Sequence, residues 1–367
     1  MGFHIVKRDN CPLWKKCCLY LSAVVIALLL GAVLLISLGV NPVAYYTRMF
    51  TMGTIGNKIA YKVWINYLKD FVPLALVSVA LSLAFKMRFW NIGGEGQFIL
   101  GSIAAAFVAF KAGPVLPAAV TLLLMCIAAM VVAGLYGLFV AALKVKFGTN
   151  ETLMTLMLNY VALYVLIFIS ETKADWNFFL ETDSQRPVFA SFSKIVSFPS
   201  IPMGGKFTLN ICVVLTALIG ALVYIYLRYT KHGYEISVVG DSAGTARYAG
   251  MKVKWIVLRT VFLSAALIGL AAAFKVGTAG ILSTAITDDV GWTGIIVAWL
   301  SQLNTAVIFV VSALICVLHY GSTVAAATFA QVDSSFANML QGAILFLVLA
   351  ADFYTRFRIV SDKKGGK

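Results

Sequence analysis

Phe89-Trp90-Asn91-Ile92-Gly93-Gly94-Glu95-Gly96-Gln97 joins two apolar runs, and the rest of the chain can be read outward from it. The run before it, Phe71–Phe85, closes with Lys86, Met87 and Arg88; the run after it is Phe98–Phe110. Its polar part, Asn91–Gln97, holds three glycines, a carboxylate and two amides. In lipid every backbone N–H and C=O needs an internal partner, so a polar, Gly-rich turn is tolerated there only within protein or against water. Glycine lets such a turn bend sharply or approach a neighbour closely. The stretch is therefore predicted to line a cavity or a membrane mouth. A solvated loop is the plainer alternative. Glu95 argues against it, because ionisable groups near membrane depth are rare and usually functional.

The composition supports the membrane reading. Of 367 residues 61% are hydrophobic and only 12% charged, against about 25% charged in a soluble globule. A chain of this size cannot hide so much apolar surface in water, so a polytopic membrane protein is expected. The net charge of +14 does not signal nucleic-acid binding. The basic residues sit at the ends of apolar runs, where the positive-inside rule places them. Cys11, Cys17 and Cys18 lie in the basic N-terminal segment, and Cys126, Cys212 and Cys316 stand singly in apolar runs. That spacing matches no zinc pattern and the three isolated thiols read as small apolar fillers, so neither a disulfide nor a metal is expected; no cofactor is expected either.

Lys7, Arg8, Lys15 and Lys16 precede the first run, Leu19–Val40, which is long enough to cross a bilayer core. Residues 1–18 are expected to be a basic cytoplasmic tail. Asn41-Pro42 ends that span, and residues 43–70 mix aromatics with lysines, as an interfacial helix would. Phe71–Phe85 contains Pro73 and is short, which suggests a broken helix. Further spans are predicted at Phe98–Phe110, Leu116–Leu143, Thr152–Ile169, Leu209–Leu227 and Val257–Val276. Three shorter runs follow, Ile281–Leu300, Thr305–Tyr320 and Met339–Ala351, interrupted by Asp288, Asp289, Gln302, Asn304, Gln331, Asp333 and Gln341. Span parity and basic flanks put residues 171–206 outside and residues 228–254 inside. The membrane domain is expected over 19–351, followed by a basic cytoplasmic tail at 352–367. The short, polar-interrupted pieces at 71–110 and 281–351 suggest paired broken helices around a transport site.

The chain lacks the motifs of a nucleotide enzyme. Gly205-Lys206 is followed by Phe207 and is not a phosphate-binding loop, and Gly94-Glu95-Gly96 lacks the third glycine and the strand of a dinucleotide fingerprint. No nucleophile–base set can be argued from position. A lipid-processing membrane enzyme would need catalytic groups that are not evident.

Four segments, in order, show a resemblance. Phe89–Gln97 resembles the "FNIG-EGQ" signature of bacterial ABC-importer permeases of the simple-sugar and nucleoside type, within the branched-chain amino acid and ribose class. Gly148–Tyr160 resembles their "GTNEV-T-MLNY" segment, Gly233–Gly250 their "GY-LRAVG-NP-AARYAG" loop, and Gly291–Ile295 with Ala298 and Leu300 their "GF-GIAVALLG". The sequence departs from the pattern at Ser237, which replaces an Arg, at Ser242-Ala243, which replaces Asn-Pro, and at Gln302–Thr305, which lacks a Pro. The resemblance implies an all-α polytopic fold of about ten transmembrane helices, like the vitamin B12 importer permease. It implies a cytoplasmic ABC ATPase, a second permease (homologous or identical) and an extracytoplasmic substrate-binding protein as partners. The chain itself is then a pore subunit, not an enzyme, in the bacterial cytoplasmic membrane.

These readings define expected site residues. Asn91, Glu95, Gln97, Asn159 and Trp292 are placed on the substrate pathway. Glu95 is expected to organise its turn by accepting from the N–H groups of Gly93, Gly94 and Gly96 and from the Asn91 and Gln97 amides, rather than to carry a proton. Asn159 is read equally as pore lining or as helix–helix glue. Trp90, Trp292 and Trp299 could stack on a solute, although interfacial anchoring is commoner, and Asp288-Asp289 is read as a solvated outer loop. Thr149 or Asn150, with Glu151 following, is expected to cap a helix. Gly233, Gly240, Asp241, Ala246, Arg247, Tyr248 and Gly250 are assigned to ATPase coupling, with the glycines giving a short helix sharp ends. The solute is expected to be a nucleoside, which is neutral and amphipathic. The alternatives are a sugar, riboflavin, or an ion-driven secondary transporter.

Overall fold

The computed structural model describes residues 3–7, 12–182, 184–193, 196–329, 331–332 and 335–361. Arg8, Cys11, Asp333, Lys363, Lys364 and Lys367 lie outside the described residues. In chain order the elements are β1 (Phe3–Lys7), α1 (Leu13–Ser37), α2 (Pro42–Phe50), α3 (Ala60–Lys86), α4 (Gly94–Ala112), α5 (Ala118–Phe147) and α6 (Glu151–Glu171). They continue with β2 (Ser200–Gly204), β3 (Phe207–Asn210), α7 (Ile211–Tyr229), α8 (Lys231–Asp241), α9 (Ala243–Tyr248) and α10 (Val253–Ala279). The last are α11 (Val290–Leu300), α12 (Thr305–Ala326), α13 (Ser335–Arg356) and β4 (Phe357–Ser361). The chain is 73% helical, an all-α polytopic membrane protein. Among the described residues nine helices are long and apolar enough to cross a membrane, and α11 is a shorter apolar one.

Local chemistry sets most of the helix ends. Asn41 caps α2 by accepting from the Val43 and Ala44 N–H groups, with Pro42 in the first turn. Gly148 ends α5 in the left-handed conformation at φ 70°, and Gly280 ends α10 at φ 72°, as helix-terminating glycines do. Asn150 caps α6 as expected, accepting from Thr152 and Leu153.

Several expectations are corrected. Phe71–Phe85 is not a short broken span: it is the inner part of α3, 27 residues long, and Pro73 lies inside it without ending it. Prolines are tolerated in membrane helices where neighbours satisfy the freed backbone groups. Residues 60–70 therefore belong to a spanning helix, and α2 alone remains as a separate short helix in the 43–70 region. Broken helices are not paired between the halves. Among the described residues the interruption occurs in the second half, where the chain leaves α10 at Gly280 and starts α11 at Val290. Both ends carry secondary structure. α1 takes in Leu13–Cys18, α13 runs to Arg356, and β1 pairs antiparallel with β4, Phe3 opposite Ser361 and Lys7 opposite Phe357.

The chain divides into two compact units, residues 1–63 with 315–367 and residues 64–314. In the first, α1 packs on α13, the Tyr20 hydroxyl donates to Asp352 at 2.7 Å, and buried Tyr45 meets Phe336 edge-on at 5.4 Å. In the second, α4, α5 and α10 pack on one another, and the inner part of α3 is almost wholly buried. Small residues let these helices approach, as is usual where lipid supplies no hydrophobic drive between them. An ion pair between Lys275 and Asp70 (2.6 Å) ties α10 to α3.

Candidate functional site

The Asn91–Gln97 stretch is only partly a turn. Its last four residues form the first turn of α4, with Gly93 at the N-cap position and the Gln97 N–H donating to the Gly93 carbonyl at 3.0 Å. Asn91 is fully buried. Its side chain and that of Gln97 donate to each other at 3.1 Å, and the Gly93 N–H donates to Asn91 Oδ1 at 3.1 Å. Asn159, the ninth residue of α6, holds the stretch from the side. Its Oδ1 accepts from the Gly96 N–H at 2.8 Å, and its Nδ2 donates to the Ile92 carbonyl at 2.9 Å. Thr155, one turn earlier, accepts from the Ile92 N–H at 3.2 Å. Asn159 is thus glue between α6 and the α4 entry, and it also lines a cavity. The backbone groups that a membrane would leave without partners are satisfied by amide and hydroxyl side chains.

Glu95 does something other than expected. It does not accept from the glycines of its own stretch. Its Oε2 accepts from the N–H of Gly291 at 2.9 Å, 196 residues away at the start of α11, and the Thr287 hydroxyl and the Trp292 N–H lie against the same carboxylate. The first turn of a helix exposes unpaired N–H groups and carries partial positive charge, so a carboxylate is well placed there. Close approach is what Gly291 permits: a Cβ at that position would lie 2.4 Å from both the backbone N and Oε2 of Glu95.

α11 has 11 residues, about 16 Å of helix, roughly half a bilayer core. Its start meets Glu95, which neighbours the middle of α6 through Gly96 and Asn159. Its other end is held by Trp299, which stacks on Trp90 at 5.1 Å with planes 15° apart. Those two rings occupy each other, while Trp292 faces the cavity. Asp288 and Asp289, just before α11, have φ of 49° and 55°, a left-handed conformation costly for residues with a side chain. Both are exposed, in keeping with a solvated turn. Both line a cavity of about 390 Å³ together with Glu95, Asn159, Tyr160, Thr284, Thr287 and Trp292. Of the expected pathway residues the structure brings Glu95, Asn159 and Trp292 to this cavity, whereas Asn91 and Gln97 stand behind it as support. Sequence reasoning missed Thr155, Tyr160 and Thr287, and the cavity that the exposed Asp288-Asp289 pair borders. The unusual Asp-Asp-Val-Gly approach to a short apolar run was the available signal.

The second group of site residues lies on α8 and α9, two helices rather than one, separated at Ser242, which caps α9 by accepting from Thr245. Gly233 and Gly240 do not give sharp ends. Both are buried inside α8, where a Cβ would lie 2.3 Å from the Leu227 carbonyl oxygen and 2.1 Å from that of Lys86, respectively. Only Gly250 terminates, at φ 76°. Ala246 is buried, and Asp241, Arg247 and Tyr248 are exposed, Tyr248 at 97%. Glu235 anchors α8 to α10 through Arg259 at 3.1 Å. Partial burial works against its ionisation, but hydrogen bonds and charge from His232 and Arg259 outweigh it and hold the carboxyl below its usual range.

Comparison with known proteins defines the class. The family "Branched-chain amino acid transport system / permease component" matches residues 63–349, and the chain belongs to it. It is a multi-pass membrane permease subunit of the ABC type, a transport component and not a catalyst. It is similar to a glucose ABC transporter permease protein of Haloferax volcanii, 27% identical over 98% of this chain and 94% of that one. It is also similar to a nucleoside ABC transporter permease protein of Lactococcus lactis, 26% identical over 91% of each chain. A guanosine ABC transporter permease protein of Bacillus subtilis is 28% identical over 94% of this chain and 96% of that one.

Proposed function

We propose that the chain forms the translocation path of an ABC importer for a nucleoside, and that the solute passes the cavity between α4, α6 and α11. The lining carries this reading. Tyr160 and Trp292 offer rings beside the hydrogen-bonding groups of Glu95, Thr284, Thr287 and Asp289 in a space of about 390 Å³. A base has a flat face for such rings, and the ribose hydroxyls suit a few placed polar groups. Two of the relatives carry nucleoside or guanosine in their names. The relative named for glucose supports a sugar as the second reading. The test is ATP-driven uptake of labelled nucleoside in proteoliposomes holding the whole transporter, challenged with unlabelled nucleosides, glucose and riboflavin. Competition by nucleosides alone is expected, and competition by glucose alone would replace the reading by a sugar permease.

ABC permeases in general work with an ATPase and a substrate-binding protein. In the proposed assembly the ATPase is a separate cytoplasmic subunit that docks on α8 and α9, meeting exposed Asp241, Arg247 and Tyr248, with Gly233, Gly240, Ala246 and Gly250 shaping the surface behind them. A second permease, identical or homologous, completes the pore, and the binding protein delivers the solute to the 171–206 side. The domain limits remain 19–351 for the membrane part with short basic ends. The membrane is the cytoplasmic membrane, with both termini and residues 228–254 inside. Basic flanks support this orientation, and so does the pairing of β1 with β4, which keeps the two ends together. A cysteine in place of exposed Tyr248 is expected to react with a membrane-impermeant reagent only in inside-out vesicles, and one in place of exposed Met203 only in intact cells. Labelling of both from one side would overturn the orientation.

A further inference from the structure

Two adjoining hollows lie away from the cavity described above. The first, about 600 Å³, is bounded by Lys86 at the end of α3, Arg228 in the last turn of α7, and Gln302 and Asn304 between α11 and α12. Among the described residues no carboxylate lines it, and neither Lys86 nor Arg228 makes an ion pair. Both cations face the same hollow. The second hollow, about 430 Å³, is an apolar groove that runs along α7 past Ala217, Gly220 and Ala221 against Phe309 of α12. The hollows share Tyr224 and Thr305, so the groove opens directly onto the cationic end.

We propose that these hollows together bind one anionic phospholipid, its phosphodiester between Lys86 and Arg228 and an acyl chain along the Ala217–Ala221 groove. Charge complementarity selects the headgroup: two neighbouring cations without a carboxylate favour an anion, and basic pockets between membrane helices take lipid headgroups in this way. Both cations stand at helix C-termini, whose partial negative charge offsets part of theirs, so a singly charged group fits better than a multiply charged one. Amide side chains at Gln302 and Asn304 supply hydrogen bonds. Continuity with the groove distinguishes a lipid from a free anion, because only a lipid fills both hollows. Tyr224 and exposed Tyr229 stand where ring hydroxyls belong at a membrane interface.

The test uses the full-length chain, purified with the subunits that accompany it from vesicles of equimolar phosphatidylglycerol and phosphatidylcholine, and native mass spectrometry of the lipid retained. Phosphatidylglycerol is expected to be retained over phosphatidylcholine by roughly 30-fold, about 5-fold for each cation. Lys86→Gln with Arg228→Gln should bring the ratio close to one, and Lys86→Arg should keep it. Ala217→Phe with Ala221→Phe, on the exposed side of α7, should reduce retained phosphatidylglycerol while leaving the charges in place. Equal retention of the two lipids by the parent would overturn the proposal. So would unchanged selectivity in the Lys86→Gln, Arg228→Gln protein, or unchanged retention in the groove-filled one. Complete displacement of phosphatidylglycerol by millimolar inorganic phosphate would assign the hollow to a free anion instead.

Discussion

Glu95→Ala is expected to lower ATP-driven uptake by roughly 10- to 150-fold, the loss equivalent to one buried, charge-assisted hydrogen bond. The carboxylate is the link between the start of α4 and the start of α11, through the Gly291 N–H at 2.9 Å. Without it, the first turn of a helix that begins inside the protein loses its acceptor, and the Gly291 N–H is left buried without a partner. Glu95→Gln should fall between parent and Ala. Its amide oxygen can still accept from Gly291, but its NH₂ group replaces an acceptor. Gly291→Ala should reproduce most of the loss with the carboxylate intact, because its Cβ would meet Glu95 at 2.4 Å. That pair of results would assign the effect to the α4–α11 joint. Uptake by the parent at constant ATP should not respond to an imposed proton gradient. If the parent needs the gradient and Glu95→Gln has lost the response, Glu95 carries a proton and the joint is not its role.

Gly240→Ala is expected to uncouple ATP hydrolysis from transport while leaving the chain inserted in the membrane. Its Cβ would lie 2.1 Å from the Lys86 carbonyl oxygen and 3.3 Å from the Met87 Cα. These are backbone atoms at the end of a spanning helix, so α8 must move away from α3 by about 1 Å or more to restore ordinary contact. Overpacking of this kind costs about 1–3 kcal/mol, and it shifts the surface proposed to meet the ATPase. Gly244→Ala is the control. Its Cβ would meet only the Ser242 hydroxyl at 3.6 Å, and alanine favours a helix over glycine by about 1 kcal/mol. The checks are the melting temperature of the purified transporter and the ratio of ATP hydrolysed to solute taken up. Gly240→Ala should lower the first and raise the second, with Gly244→Ala changing neither for the worse. A normal ratio in Gly240→Ala would remove α8 from the coupling path.

The amino-acid sequence by itself determined the membrane class, the sites of most helix ends and the family. Those properties depend on residues near one another in the chain. A long apolar run must be buried in lipid, Asn41 and Asn150 cap helices because their side chains reach N–H groups two and three residues on, and Gly148 and Gly280 stop helices because they take positive φ. The family motifs are likewise contiguous. The tertiary structure alone decided which helix faces meet. In lipid the outward face of a helix is as apolar as the inward one, so periodicity does not mark the buried side. Hence Glu95 was assigned to its own turn, when its partner is Gly291 at a distance of 196 residues. Nothing local to Asp288 and Asp289 ties these exposed residues to Asn159 and Trp292, with which they border a cavity. Pro73 suggested a broken span, yet its surroundings carry α3 through it. Gly233 and Gly240 looked like helix ends, whereas contact with the Leu227 and Lys86 carbonyls is what excludes a side chain there. Apart from the nearby Gly233–Leu227 pair, these outcomes rest on contact between segments far apart in the chain, which packing sets and local sequence does not.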